Sequence, residues 1–134
     1  TVVEETMWYL SDSGSRISIN LKSYISNGKI QVIDPTSGDL GSFLSRHKFK
    51  PDYLERMDPG ELSLLCFLDK TQDDIICSGD EIVFRVLGKL RCSDKGISLE
   101  ELLQNIGLTK KIRIQFTKKF RINCSSKGFE DSLV

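Results

Sequence analysis

The chain has 134 residues, with 19 Lys or Arg balanced by 19 Asp or Glu. That length suits one domain, and a composition 39% hydrophobic and 28% charged excludes global disorder. The longest apolar run, Leu64 to Leu68, stops at Asp69, far short of the ~20 residues of a membrane span.

Residues 1–6 include Glu4 and Glu5 and lack a basic start, so they do not read as a signal peptide. Met7, Trp8, Tyr9 and Leu10 follow. They form either an edge strand or an aromatic arm, centred on Trp8 and Tyr9, that inserts into a partner. Residues 11–15, Ser-Asp-Ser-Gly-Ser, break the chain. Ile17, Ile19 and Leu21 alternate with polar residues, Asn27-Gly28 follows, and Ile30 and Val32 alternate again. Asn-Gly fits a type I′ turn, so residues 16–33 are predicted to be a β-hairpin.

Leu40, Phe43 and Leu44 have helical spacing and predict a short helix ending near His47. Pro51 can open a further turn, and Asp58-Pro59 is an N-cap followed by proline, which predicts a helix over 59–69. A short strand at 75–77 leads to a longer one. There Ile82, Phe84, Val86 and Leu90 point one way and Arg85, Lys89 and Arg91 the other. Ser98 and Glu101 form a capping box, and Gly107 is a helix stop, so 99–106 reads as helix. Residues 110–123 read as the last strand region. Ile112, Ile114, Phe116, Phe120 and Ile122 share one parity, and Lys111, Arg113, Lys119 and Arg121 share the other. The whole is an expected α+β domain over 1–134. It has a mostly antiparallel sheet of five to six strands and three to four helices on one side. The arm 1–15 and the polar tail 125–134 are expected to be flexible.

Several chemistries lack their residues. The four cysteines, Cys66, Cys77, Cys92 and Cys124, contain no C-x-x-C pair, and His47 is the one histidine. No zinc site is expected, and the thiols read as reduced, in a cytoplasmic or nuclear protein. No phosphate-cradling glycine motif occurs. His47 lies near a predicted helix C-terminus, where it suits the dipole as a solvated cation. The chain is read as not an enzyme, with no catalytic residues, metal or cofactor.

Charge is unevenly distributed. Residues 51–81 hold nine acids and two bases, whereas 82–127 hold eleven bases and three acids. Arg85, Lys89, Arg91, Lys111, Arg113, Lys119 and Arg121 are predicted to form one cationic sheet face. Asp52, Glu55, Asp58, Glu61, Asp73 and Asp74 form the acidic counterpart. These features predict a structural or assembly module that self-associates as a homo-oligomer and binds another protein. The alternatives are a nucleic-acid-binding domain, such as an RNA binder using the basic face, and a cellular protein–protein adaptor.

The order of these elements resembles the globular domain of rhabdovirus matrix proteins. The likeness lies in the early strand pair 17–33, the helices 39–47 and 59–69, the strand 81–92, the helix 98–106 and the strand 110–123. The basic N-terminal region and proline-rich late motif of animal-virus members are absent from this sequence. The resemblance implies self-association, nucleocapsid condensation, peripheral membrane association and a place in the virion. It assigns no site residue.

Overall fold

The computed structural model describes residues 8–134, and the helix is its dominant element. Seven α-helices are present among the described residues, with two small two-stranded sheets. The expected α+β fold with a five-to-six-stranded antiparallel sheet is therefore corrected to a mainly helical one. The chain divides into two compact units, Thr1–Asp34 and Pro35–Val134.

In the first unit, β1 (Trp8–Leu10) pairs antiparallel with β2 (Arg16–Ser18), with Tyr9 opposite Ile17. The Ser11–Ser15 turn closes the pair, with Gly14 at φ +79°. The predicted hairpin over 16–33 does not form. Asn20 instead caps a short helix, α1 (Leu21–Ser26). Asn27-Gly28 ends that helix: Gly28 N–H donates to the Ile25 carbonyl and Lys29 N–H to that of Tyr24. This is the paired bonding of a Schellman cap, and its positive φ suits Asn-Gly as well as a hairpin turn does. No residue over 8–34 is buried. Residues 1–7, including Glu4, Glu5 and Met7 of the predicted arm, lie outside the described residues.

The second unit is built around α5. All of its α-helices except the one that Pro51 opens begin with a side-chain cap. Thr36 and Asp39 cap α2 (Ser37–His47), and Pro51 opens α3 (Pro51–Arg56). Asp58 and Glu61 cap α4 (Pro59–Lys70) reciprocally. A two-residue strand, β3 (Ile76–Cys77), pairs parallel with β4 (Gly96–Ile97). Asp80 caps α5 (Glu81–Lys89), and Ser98 with Glu101 caps α6 (Leu99–Asn105). Gly107, at φ +78°, stops α6. After a 3₁₀ turn at Ile114–Phe116, Thr117 caps α7 (Lys118–Asp131).

The predicted strand 81–92 is thus α5 and its C-cap. Ile82, Val83, Phe84, Val86 and Leu87 are all buried, so the helix is enclosed on most of its circumference. The predicted strand 110–123 is irregular chain, a 3₁₀ turn and the first half of α7. The tail expected to fray from Ser125 is the second half of α7, with Ser125 and Gly128 buried.

Two glycines let α5 and α7 touch backbone to backbone. A Cβ on Gly88 would lie 1.9 Å from the Ser125 carbonyl oxygen, and one on Gly128 would lie 1.9 Å from that of Arg85. Around this crossing the core gathers Phe43, Phe49, Tyr53, Leu65, Cys66, Leu68 and Ile76.

The α5 C-cap has a Schellman pattern with the wrong residue. Arg91 N–H donates to the Gly88 carbonyl and Cys92 N–H to that of Leu87, while Arg91 sits at φ +58°. Left-handed backbone costs a residue with a Cβ about 1 kcal/mol. Arg91→Gly is therefore expected to stabilise the fold by about 1 kcal/mol, read as a higher urea midpoint.

Candidate functional site

The side chains that sequence reading singles out divide into those the fold uses internally and those it leaves at the surface. Arg85 and Lys89 lie on α5, Arg91 at its C-cap, Lys111 and Arg113 in the chain before α7, and Lys119 and Arg121 on α7. They do not share a sheet face, because neither segment is a strand.

Two of the arginines are locked into internal ion pairs. Arg85 donates to Asp131 at 2.5 Å and reaches Glu81 at 3.5 Å. Tyr53 also donates to Asp131, at 2.6 Å, which fastens the end of α7 to α3 and α5. The donors from Tyr53 and Arg85 hold the Asp131 carboxyl below its usual range. Burial, reinforced by the Asp131 charge, pushes the Tyr53 phenol up to about 12. Arg121 makes a two-pronged bond to Glu101, with both contacts at 2.8 Å. Together with Ser98 it lowers the Glu101 carboxyl to about 2. Lys89 and Arg91 lie 5.7 and 5.5 Å from the rings of Tyr53 and Phe129. Among the described residues, Lys110, Lys111, Arg113 and Lys119 make no ion pair.

The acids sort in the same way. Asp58 and Glu61 are committed to the α4 cap, and burial raises the Glu61 carboxyl. Asp52 and Glu55 lie exposed on α3, and Asp73 and Asp74 lie exposed in the loop before β3. None of these last four pairs with a base among the described residues. Trp8 and Tyr9 are exposed on β1, with the Arg16 guanidinium 3.9 Å from the Trp8 ring.

One polar cleft, of about 100 Å³, is lined by His47, Asp69, Cys92 and Lys95 with Leu65, Leu68, Leu87 and Leu90. His47 is half-buried, not solvated. Its Nε2 lies 2.9 Å from Asp69, to which Arg46 also donates at 2.7 Å. Lys95 donates to the Leu68 and Thr71 carbonyls at the end of α4, the Leu68 carbonyl also accepting from the Thr71 N–H. Burial pushes the Cys92 thiol up, away from the thiolate a nucleophile needs. The cleft is well below the ~300 Å³ of small-molecule sites. Its polar groups tie α2 to the end of α4. All four cysteines are free thiols. Among the described residues, no cluster of three His, Cys, Asp or Glu side chains could hold a metal ion, and no helix is long and apolar enough to cross a membrane.

The surface that sequence reading missed is the chain between α6 and α7. Ile106, Leu108 and Ile114 are exposed there, Ile114 at 74%, among Lys110, Lys111 and Arg113. The strand assignment had turned Ile114 inward. The acidic loop also carries an exposed isoleucine, Ile75, at 57%. No protein-family model matches the chain, and neither a curated protein nor a solved structure does.

Proposed function

We propose that this chain is a non-catalytic assembly module that associates with copies of itself through surfaces of opposite charge. One observation carries the reading: the acid-rich stretch 51–81 and the basic stretch 82–127 scarcely neutralise each other. Among the described residues a single ion pair, Arg85 to Glu81 at 3.5 Å, joins them. The other pairs of the late cations, with Glu101 and Asp131, lie within 82–134. Unspent charge of both signs therefore stays on the outside. A contact between unlike patches is heterologous, so it continues into rings or open chains of copies and does not stop at a pair.

A matrix-like role in organising nucleocapsid and membrane is one form this proposal takes. The segments read as strands for that resemblance do not form its sheet, so the proposal stands on charge. Nucleic acid is less favoured as the partner, because Phe116 and Phe120 are half-buried and offer no open stacking face.

Light scattering tests the reading. At an ionic strength of ~20 mM the mass is expected to exceed the 15.2 kDa of one chain and to fall toward it above ~0.15 M, where exposed charges are screened. A 15.2 kDa particle at both salt levels, in concentrated solution, contradicts it.

A further inference from the structure

We propose that the contact between copies is made by the loop of Asp73, Asp74 and Ile75 on one molecule and the segment of Lys111, Arg113 and Ile114 on the next. This inference rests on the self-association reading and names its two surfaces.

The two segments are chemical complements. Each sets an exposed isoleucine beside two exposed like charges, negative in the loop and positive in the segment. Ile75 and Ile114 are 57% and 74% exposed, so each offers apolar area that a contact would remove from water. Docking one segment on the other removes both from water while pairing the charges. Charge complementarity therefore selects the occupant. A neutral apolar partner would leave Lys111 and Arg113 unpaired, and a polyanion would leave Ile114 in water.

The fold holds both segments ready. Residues 108–113 are in neither helix nor strand. They are tethered by the Gly107 stop at one end. At the other end the Phe116 ring fills the space where a Cβ on Gly79 would stand. Half-buried Ile112 points inward between exposed Lys111 and Arg113. The loop runs from the end of α4, held by Lys95, into β3. Within one molecule the loop leads into β3, whereas Phe116 packs just past the exit of that strand. No ion pair joins the two segments among the described residues. The loop and the segment are distinct stretches of opposite charge, which gives each copy a donor and an acceptor surface, as a heterologous contact requires.

Reciprocal charge reversal tests this pairing. One variant carries Asp73→Lys with Asp74→Lys, and the other carries Lys111→Glu with Arg113→Glu. Alone, each presents two surfaces of the same sign and is expected to self-associate more than about tenfold more weakly than the wild type at ~20 mM salt. Mixed in equal amounts, they present opposite signs again, and assembly is expected to return. Both should melt within about 2 °C of the wild type, since exposed, unpaired positions contribute little to stability. Ile114→Ser tests the apolar half and should weaken assembly several-fold with the charges intact.

Assembly of either charge variant alone as strongly as wild type overturns the pairing, and so does failure of the folded mixture to recover. Either result leaves charge-driven association standing on other surfaces. A wild type that stays monomeric at low salt removes the pairing together with the reading beneath it.

Discussion

Gly88→Ala and Gly128→Ala are each expected to destabilise the fold by about 3 kcal/mol, the upper part of the usual overpacking range. The added methyl meets a backbone carbonyl at 1.9 Å in both cases. A side chain could rotate away from such a clash, but a carbonyl moves only if its helix moves. Parting α5 from α7 then loosens Ile82, Phe84, Val86 and Cys124, all buried, and strains the bond from Arg85 to Asp131. Gly41→Ala supplies the contrast. It also lies inside a helix, α2, but a Cβ there meets nothing within 4 Å. Replacing glycine in an open helix position should stabilise by about 0.5–1 kcal/mol. Urea denaturation of the three variants reads both signs. A loss below ~1 kcal/mol at both 88 and 128 would mean that the helices separate freely, against the close-packed crossing described above.

Glu101→Ala is expected to cost about 3 kcal/mol through a different route. One carboxylate accepts both prongs of Arg121, together with the backbone N–H and hydroxyl of Ser98, at 2.8 to 3.0 Å. Ser98 is fully buried and the Arg121 side chain is 14% exposed. Removing the carboxylate strands a buried donor and a largely buried charge, and it breaks the return half of the α6 capping box, although the Ser98 hydroxyl still accepts from the backbone N–H of residue 101.

The same group gives a pH signature. Its carboxyl titrates at about 2 in the folded chain and at ~4.3 when unfolded. Between those values the unfolded state holds more protons, so its contribution is whole above about pH 4.5 and is lost as pH falls through about 2. Asp131, also held low, adds to the same window. Wild-type stability should therefore fall from about pH 4.5 to about 2, and Glu101→Ala should fall less over that interval. Parallel curves for the two proteins would show that Glu101 is not the titrating group.

What could be read from the sequence was mostly local. Asp58-Pro59, Ser98 with Glu101, and Gly107 each mark a helix end by a local preference, a capping side chain or glycine's freedom at positive φ, that needs no tertiary partner. Those ends are where the structure has them. The errors came where one pattern serves two structures. Asn27-Gly28 suits a hairpin turn and a helix stop alike, and only the Asn20 cap before Leu21 separates the readings. In α5, Ile82, Phe84, Val86 and Leu90 alternate like a strand, but Val83 and Leu87 are apolar too, and a central helix buried on most sides erases both periods. Asp80 just ahead of it was the available signal. Helix α7 buries Cys124, Ser125 and Gly128. These small residues are chosen for a close crossing with Gly88, so its buried face carries no apolar stripe to read.

The association surface was legible as charge and illegible as shape. The counts over 51–81 and 82–127 stand whatever the fold. Which charges remain outside depended on long-range partners. Arg85 is held by a carboxylate 46 positions away and Arg121 by one 20 positions away. The exposed Ile114 was hidden by a strand parity that the folded chain does not have.

Sedimentation velocity on the wild-type chain, over a wide concentration range at ~20 mM and again at ~300 mM salt, addresses the central claim most directly. At low salt the coefficient should climb with concentration past that of a dimer, as repeated head-to-tail contacts require. At high salt it should settle at the value for one chain. A single salt-independent coefficient, whether monomer or closed dimer, would contradict assembly by opposed charge.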